Sequence, residues 1–78
     1  MFVTIDTDTD SNTGNIAGGA TNIDVWNYGG TEATITISGQ AVPIPPGSGW
    51  SSGHSNTGFG PIAYSASADS RLVIIAWN

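Results

Sequence analysis

Residues 32–44 read E-A-T-I-T-I-S-G-Q-A-V-P-I, and this stretch decides the fold class. Ala33, Ile35 and Ile37 alternate with Thr34, Thr36 and Ser38. A period of two puts the apolar set on one face of a strand and the hydroxyls on the other. Ser38-Gly39 supplies a turn, and Gln40 to Ile44 comes back as the next strand of a meander. Pro43, Pro45 and Pro46 have no N–H to give to a ladder, so this strand is expected to lie at a sheet edge and to end there.

The same chemistry extends in both directions. Of fourteen aliphatic Ile, Val and Leu residues only Leu72 is not β-branched, the bias expected of side chains packed on pleated surfaces. Eleven glycines and four prolines cut the chain into short segments. Upstream, Asn22 to Tyr28 puts Ile23 and Val25 on one face and Asp24, Trp26 and Tyr28 on the other, and Gly29-Gly30 fits a two-residue hairpin turn into the next strand. Phe2 to Ile5 alternates as well, then runs into an acidic stretch and the Gly18-Gly19 loop. Downstream, Trp50 opens a short strand, residues 51–60 have no period and read as a flexible loop, and Pro61 to Ala68 alternates again. Arg71 to Trp77, R-L-V-I-I-A-W, is apolar on both faces, as in a strand central between two layers or buried against a neighbouring subunit. The expected architecture is all-β: a small antiparallel β-sandwich or barrel of about seven short strands. It forms one β domain over 1–78, with residues 1–20 as an N-terminal strand plus an extended acidic, Gly-rich arm and residues 21–78 as the compact core.

Composition restricts the function classes. A chain of 78 residues with no cysteine builds a core that only just offsets chain entropy and gains from oligomerising. One Arg, no Lys and six acids give a net charge of −5, which repels phosphate, so neither nucleic acid nor an anionic membrane surface is an expected partner. The M-F-V-T-I-D start has no basic, apolar leader, so the expected product is not secreted.

Two stretches imitate catalytic motifs. G-W-S-S-G at Gly49 to Gly53, followed by His54, matches G-x-S-x-G, but a nucleophile elbow needs a strand-to-helix turn on a larger doubly wound sheet. G-F-G-P-I-A at Gly58 to Ala63 matches a dinucleotide fingerprint with no helix to follow it. His54 is the only imidazole and has no acid beside it, and Arg71, the only cation, has Asp69 and the N-terminal acids as candidate partners. No acid, base and nucleophile set can be assembled, so the chain is read as non-enzymatic, without a required cofactor.

Two features point to binding. D-T-D-T-D at residues 6–10 would stack Asp6, Asp8 and Asp10 in one column of an extended strand. The spacing fits the first ligand positions of an EF-hand-like Ca2+ loop, but Ser11 stands where the turn needs Gly and Ala17 where a bidentate Glu belongs. A solvated acidic segment, or an arm that contacts a basic partner, therefore stands beside calcium as the reading of these acids. Aromatic residues are the second feature: Trp26 and Tyr28 share the face opposite Ile23 and Val25, where rings serve either as protein-interface anchors or as sugar-stacking platforms.

The run Trp26 to Trp50, W-N-Y-G-G-T-E-A-T-I-T-I-S-G-Q-A-V-P-I-P-P-G-S-G-W, resembles a phrase in small bacteriophage virion structural proteins of the capsid decoration, cement or head-fibre type. The likeness covers about a third of the chain and lies in an N-x-G turn, a Thr/Ile strand, a Gly turn and an apolar Pro-Gly segment in that order. It implies a non-enzymatic virion protein, made in the host cytoplasm, that binds and stabilises the phage shell. The implied partner is the major capsid protein or another virion protein, and the implied assembly is a homo-oligomer, with a trimer favoured. The expected interface residues are Phe2, Trp26, Tyr28, Trp50 and Trp77. The alternative is a carbohydrate-binding or receptor-binding module that uses Trp26, Tyr28, Trp50 or Tyr64.

Overall fold

The computed structural model describes residues 2–78. Eight strands follow in chain order: β1 (Phe2–Asp6), β2 (Thr13–Ile16), β3 (Asn22–Asn27), β4 (Ala33–Ile37), β5 (Gln40–Ile44), β6 (Gly49–Ser51), β7 (Ile62–Ser65) and β8 (Leu72–Trp77). They form two antiparallel four-stranded sheets, sheet A in the order β1-β8-β3-β6 and sheet B in the order β2-β7-β4-β5. The sheets pack as a sandwich around one apolar cluster that includes Ile23, Ile35, Ile44, Ile62, Leu72 and Ile74.

The Thr/Ile strand and its return pair as β4 and β5, with Ile37 opposite Gln40. Ser38 and Gly39 both have positive φ, 52° and 78°, the pair of left-handed residues a two-residue hairpin needs to match strand twist. Pro-bearing β5 lies at the edge of sheet B. The doubly apolar strand β8 is central in sheet A, between β1 and β3: Leu72, Ile74 and Ala76 enter the core, while Val73, Ile75 and Trp77 point outward and stay half-buried.

Four features differ from the sequence expectation. β3 and β4 are not a hairpin, because β3 pairs with β8 and β4 with β7, so residues 28–32 cross from one sheet to the other. Gly29 is needed for close approach and not for a turn: a Cβ there would collide with the backbone of Ser70 and Arg71. Thr13–Ile16 is an additional strand, making eight and not seven. It shows no apolar alternation because its inward position opposite Tyr64 is Gly14, where a Cβ would meet the tyrosine hydroxyl. The strand expected at Phe2 to Ile5 is β1, paired with β8 over five residues, but residues 7–20 are not an extended arm, since β2 pairs with β7 over four. The turn between them is anchored at buried Thr7, which donates its N–H to the Leu72 carbonyl and accepts the Leu72 N–H on Oγ1. Residues 51–60 are tied down rather than loose: Ser52 and Ser55 donate to the Ile23 and Thr21 carbonyls, and Phe59 packs against the core.

The crossover closes on one side chain. Asn27, at the end of β3, is 0% exposed, and its amide makes four hydrogen bonds. Nδ2 donates to the carbonyls of Thr31 at 2.8 Å and Ile44 at 2.9 Å. Oδ1 accepts the N–H groups of Gly29 at 2.9 Å and Arg71 at 3.2 Å. This fixes the amide orientation and ties sheet A, the crossing segment and the end of β5 in sheet B to one another. Each buried backbone group left unpaired costs about 1–3 kcal/mol. Asn27→Ala is therefore expected to lower the unfolding free energy by at least about 3 kcal/mol in urea titration, against under about 0.5 kcal/mol for the exposed strand residue Asn15→Ala. Equal effects of the two substitutions would remove Asn27 from this role.

Candidate functional site

The pleat of sheet A determines which side chains share its outer face. Trp26 lies opposite Val73, Asp24 opposite Ile75, and Asn22 opposite Trp77. On the other side of β8, Phe2 lies opposite Trp77, Thr4 opposite Ile75 and Asp6 opposite Val73. Residues two apart point the same way, so Phe2, Trp77, Ile75, Val73 and Trp26 form one apolar band, with Tyr28 continuing it beyond the end of β3. Phe2, Trp26 and Tyr28 are 72%, 44% and 63% exposed, an unusual state for three large rings in so short a chain.

The Trp26 indole lies across β6. A Cβ on Gly49 would collide with ring carbon Cε3 and with the Val25 carbonyl, so glycine at this position opens the seat for the ring. Tyr28 follows at a centroid distance of 6.1 Å and an interplanar angle of 48°, a tilted aromatic pair. Beyond it the Arg71 guanidinium lies 5.8 Å from the Tyr28 ring centroid and grips Asp6 with two bonds, Nε to Oδ1 at 3.0 Å and Nη2 to Oδ2 at 2.7 Å. These contacts form a continuous row: Trp26, Tyr28, Arg71, Asp6. Beside it a groove of about 400 Å³ is lined by Asp24 and Trp26 of β3, Tyr28, Gly49 and Ser51 of β6, and Val73 and Ile75 of β8.

Four of the five residues expected at an interface, Phe2, Trp26, Tyr28 and Trp77, thus share one face. Trp50 is the exception: it pairs with Val25, packs against the core cluster and only borders the groove. Tyr64, offered as a sugar platform, is buried inside. The acidic column does not form, because the chain turns after Asp6: Thr9 and Asp10 both donate their N–H to the Asp6 carbonyl. Asp6 takes Arg71 and the Asp8 N–H, and Asp10 folds back to accept the Asp6 N–H at 3.0 Å. Among the described residues no group of three or more His, Cys, Asp or Glu side chains could hold a metal ion. Ser51 of the G-W-S-S-G stretch accepts the Gly53 N–H at 3.5 Å, and His54 is exposed.

Sequence reading had Asp24, Trp26 and Tyr28 on a common face but did not anticipate their neighbours Val73 and Ile75 or the role of Gly49. The apolar residues on both sides of β8 were the available signal for the former. Nothing in the sequence marks Gly49, because its glycine serves a ring that reaches it from another strand. Compared with protein families, characterised proteins and solved structures, the chain matches none.

Two outcomes follow from this geometry. The Arg71 bonds, then the Asp8 N–H, lower the Asp6 carboxyl from 3.8 to about 2. A carboxylate depressed in the folded state stabilises above its unfolded value and loses that contribution as pH falls through the folded one. The melting temperature is therefore expected to fall between pH 4 and pH 2 more steeply in the parent than in Asp6→Asn; parallel profiles would mean the ion pair adds nothing. Gly49→Ala is expected to dislodge the indole, shifting the Trp26 Nε1–H resonance and raising its solvent exposure. An unmoved resonance would contradict the seat assigned to Gly49.

Proposed function

We propose that this protein is a non-enzymatic virion structural protein of the decoration or cement type, docking on the phage shell through the outer face of sheet A. The observation that carries this reading is the grouping of Phe2, Trp26, Tyr28 and Trp77 around Val73 and Ile75 on a face that, among the described residues, no other layer covers. A standard interface takes about 800 Å² from each partner, roughly a fifth of the 4130 Å² this chain exposes. A protein this small therefore commits a whole face to its partner. The resemblance of Trp26 to Trp50 to small bacteriophage structural proteins supplies the partner class, the major capsid protein or another virion protein, with trimers over symmetry axes as the assembly it implies.

The mechanism is linkage. Apolar surface that is wet on the free protein is covered only on the assembled shell, so binding favours assembly over dissociation. Repetition around a symmetric particle multiplies a modest contact. With a net charge of −5 the surface repels packaged nucleic acid and attracts basic patches on the shell.

A second reading rests on the groove itself. An indole lining the same groove as Asp24 and Ser51 is a combination that sugars also use, with the ring as platform and the polar groups as hydroxyl partners.

Cosedimentation with particles of the encoding phage separates the two. Trp26→Ala and Tyr28→Ala are each expected to reduce bound protein at least about tenfold, the size of a central aromatic contact, with circular dichroism unchanged. Undiminished capture by both variants would contradict docking through this face. A saturable shift of tryptophan fluorescence with a neutral oligosaccharide, in protein that ignores particles, would favour the second reading.

A further inference from the structure

We infer that the groove between Trp26 and Asp24 is built to receive an arginine side chain from a basic partner surface. The inference rests on the outer face of sheet A being the docking surface and names the chemistry that would occupy it. The molecule contains the template. Its own Arg71 spreads its guanidinium over the Tyr28 ring at 5.8 Å while binding the Asp6 carboxylate with two bonds. On the adjacent strand the same two parts recur two residues apart on the same face: the Trp26 ring, a stronger π surface than tyrosine, and the half-buried Asp24 carboxylate. The second pair has no cation. Among the described residues Asp24 has neither a hydrogen bond nor an ion pair from its side chain, and the chain's single Arg is already held by Asp6, with no Lys available.

Arginine fits better than lysine. Its flat guanidinium stacks on a ring and forks onto a carboxylate at once, whereas an ammonium is a point charge that does neither. Ser51, opposite Asp24 in the β3–β6 pairing, adds a hydroxyl acceptor for the remaining donors. The apolar walls Val73 and Ile75 suit the methylene stem. At about 400 Å³ the groove takes a single side chain with its flanking backbone. The overall charge of −5 favours approach of such a partner from a distance.

The test is titration of the 15N-labelled full chain with N-acetyl-arginine amide, with N-acetyl-citrulline amide, its uncharged isostere, at matched ionic strength, and with cellobiose. Arginine is expected to shift the Trp26 indole, Asp24 and Gly49 resonances, and citrulline to leave them in place. Asp24→Asn is expected to weaken the arginine response at least about fivefold. Asp69→Asn, which removes the same charge at an exposed position away from the groove, is expected to leave it unchanged. Equal responses to arginine and citrulline, equal loss in the two Asp variants, or a response to cellobiose alone would each overturn the inference. Particle cosedimentation keeps the two readings apart: capture of Asp24→Asn at parental level overturns the arginine seat and leaves shell docking standing. Arginine binding by protein that no particle captures supports the seat and removes shell docking.

Discussion

The buried amide of Asn27 is the interaction on which the rest of this structure depends. Its four hydrogen bonds reach the crossing segment, the end of β5 in sheet B and the residue just before β8, so a single side chain sets where the chain leaves sheet A and where it returns. Only a carboxamide can do this, because two carbonyls and two N–H groups must be satisfied from one planar group. The backbone adds to it: Tyr28 donates to the Arg71 carbonyl and Gly30 to the Asp69 carbonyl, drawing the crossover against the 69–71 turn closely enough that Gly29 has no room for a side chain.

That constraint produces the outer face. Because β3 turns away to the other sheet instead of folding back on β4, its edge is free to pair with β8, and Trp26 comes to lie opposite Val73 and Asp24 opposite Ile75. Tyr28 and Arg71 are brought together at the same point, which lets the guanidinium cover the ring and hold Asp6. The stability of the sandwich and the composition of its outer face are thus linked through the crossover. The residues that secure the sandwich also determine which rings stand together outside it.

Much of this was legible in the sequence, for a specific reason. Period-two alternation reports which face a residue occupies, so the Thr/Ile strand β4, the division of β3 into Ile23 and Val25 against Trp26 and Tyr28, and the two-faced strand β8 could all be read directly, as could the Ser38-Gly39 turn and the edge position of a strand rich in proline. Alternation does not report which strand lies alongside. Gly29-Gly30 has the composition of a hairpin turn, and only the distant Ser70–Arg71 backbone shows that its glycine serves close approach. β2 was silent because one of its inward positions is Gly14, beneath the Tyr64 ring. The acids at residues 6–10 read as a column because period two assumes an extended strand, whereas the chain turns after Asp6, with Thr9 and Asp10 donating to its carbonyl.

The outer face of sheet A is the surface that we propose this protein gives to a partner. Hydroxyl-radical footprinting of the protein free and on phage particles tests it most directly. Phe2, Trp26, Tyr28 and Trp77 are expected to lose reactivity on the particle, while Pro43 and Pro45, exposed on and just past the edge strand of sheet B, keep theirs. Protection of Pro43 and Pro45 with the four aromatic residues still reactive would contradict docking through this face.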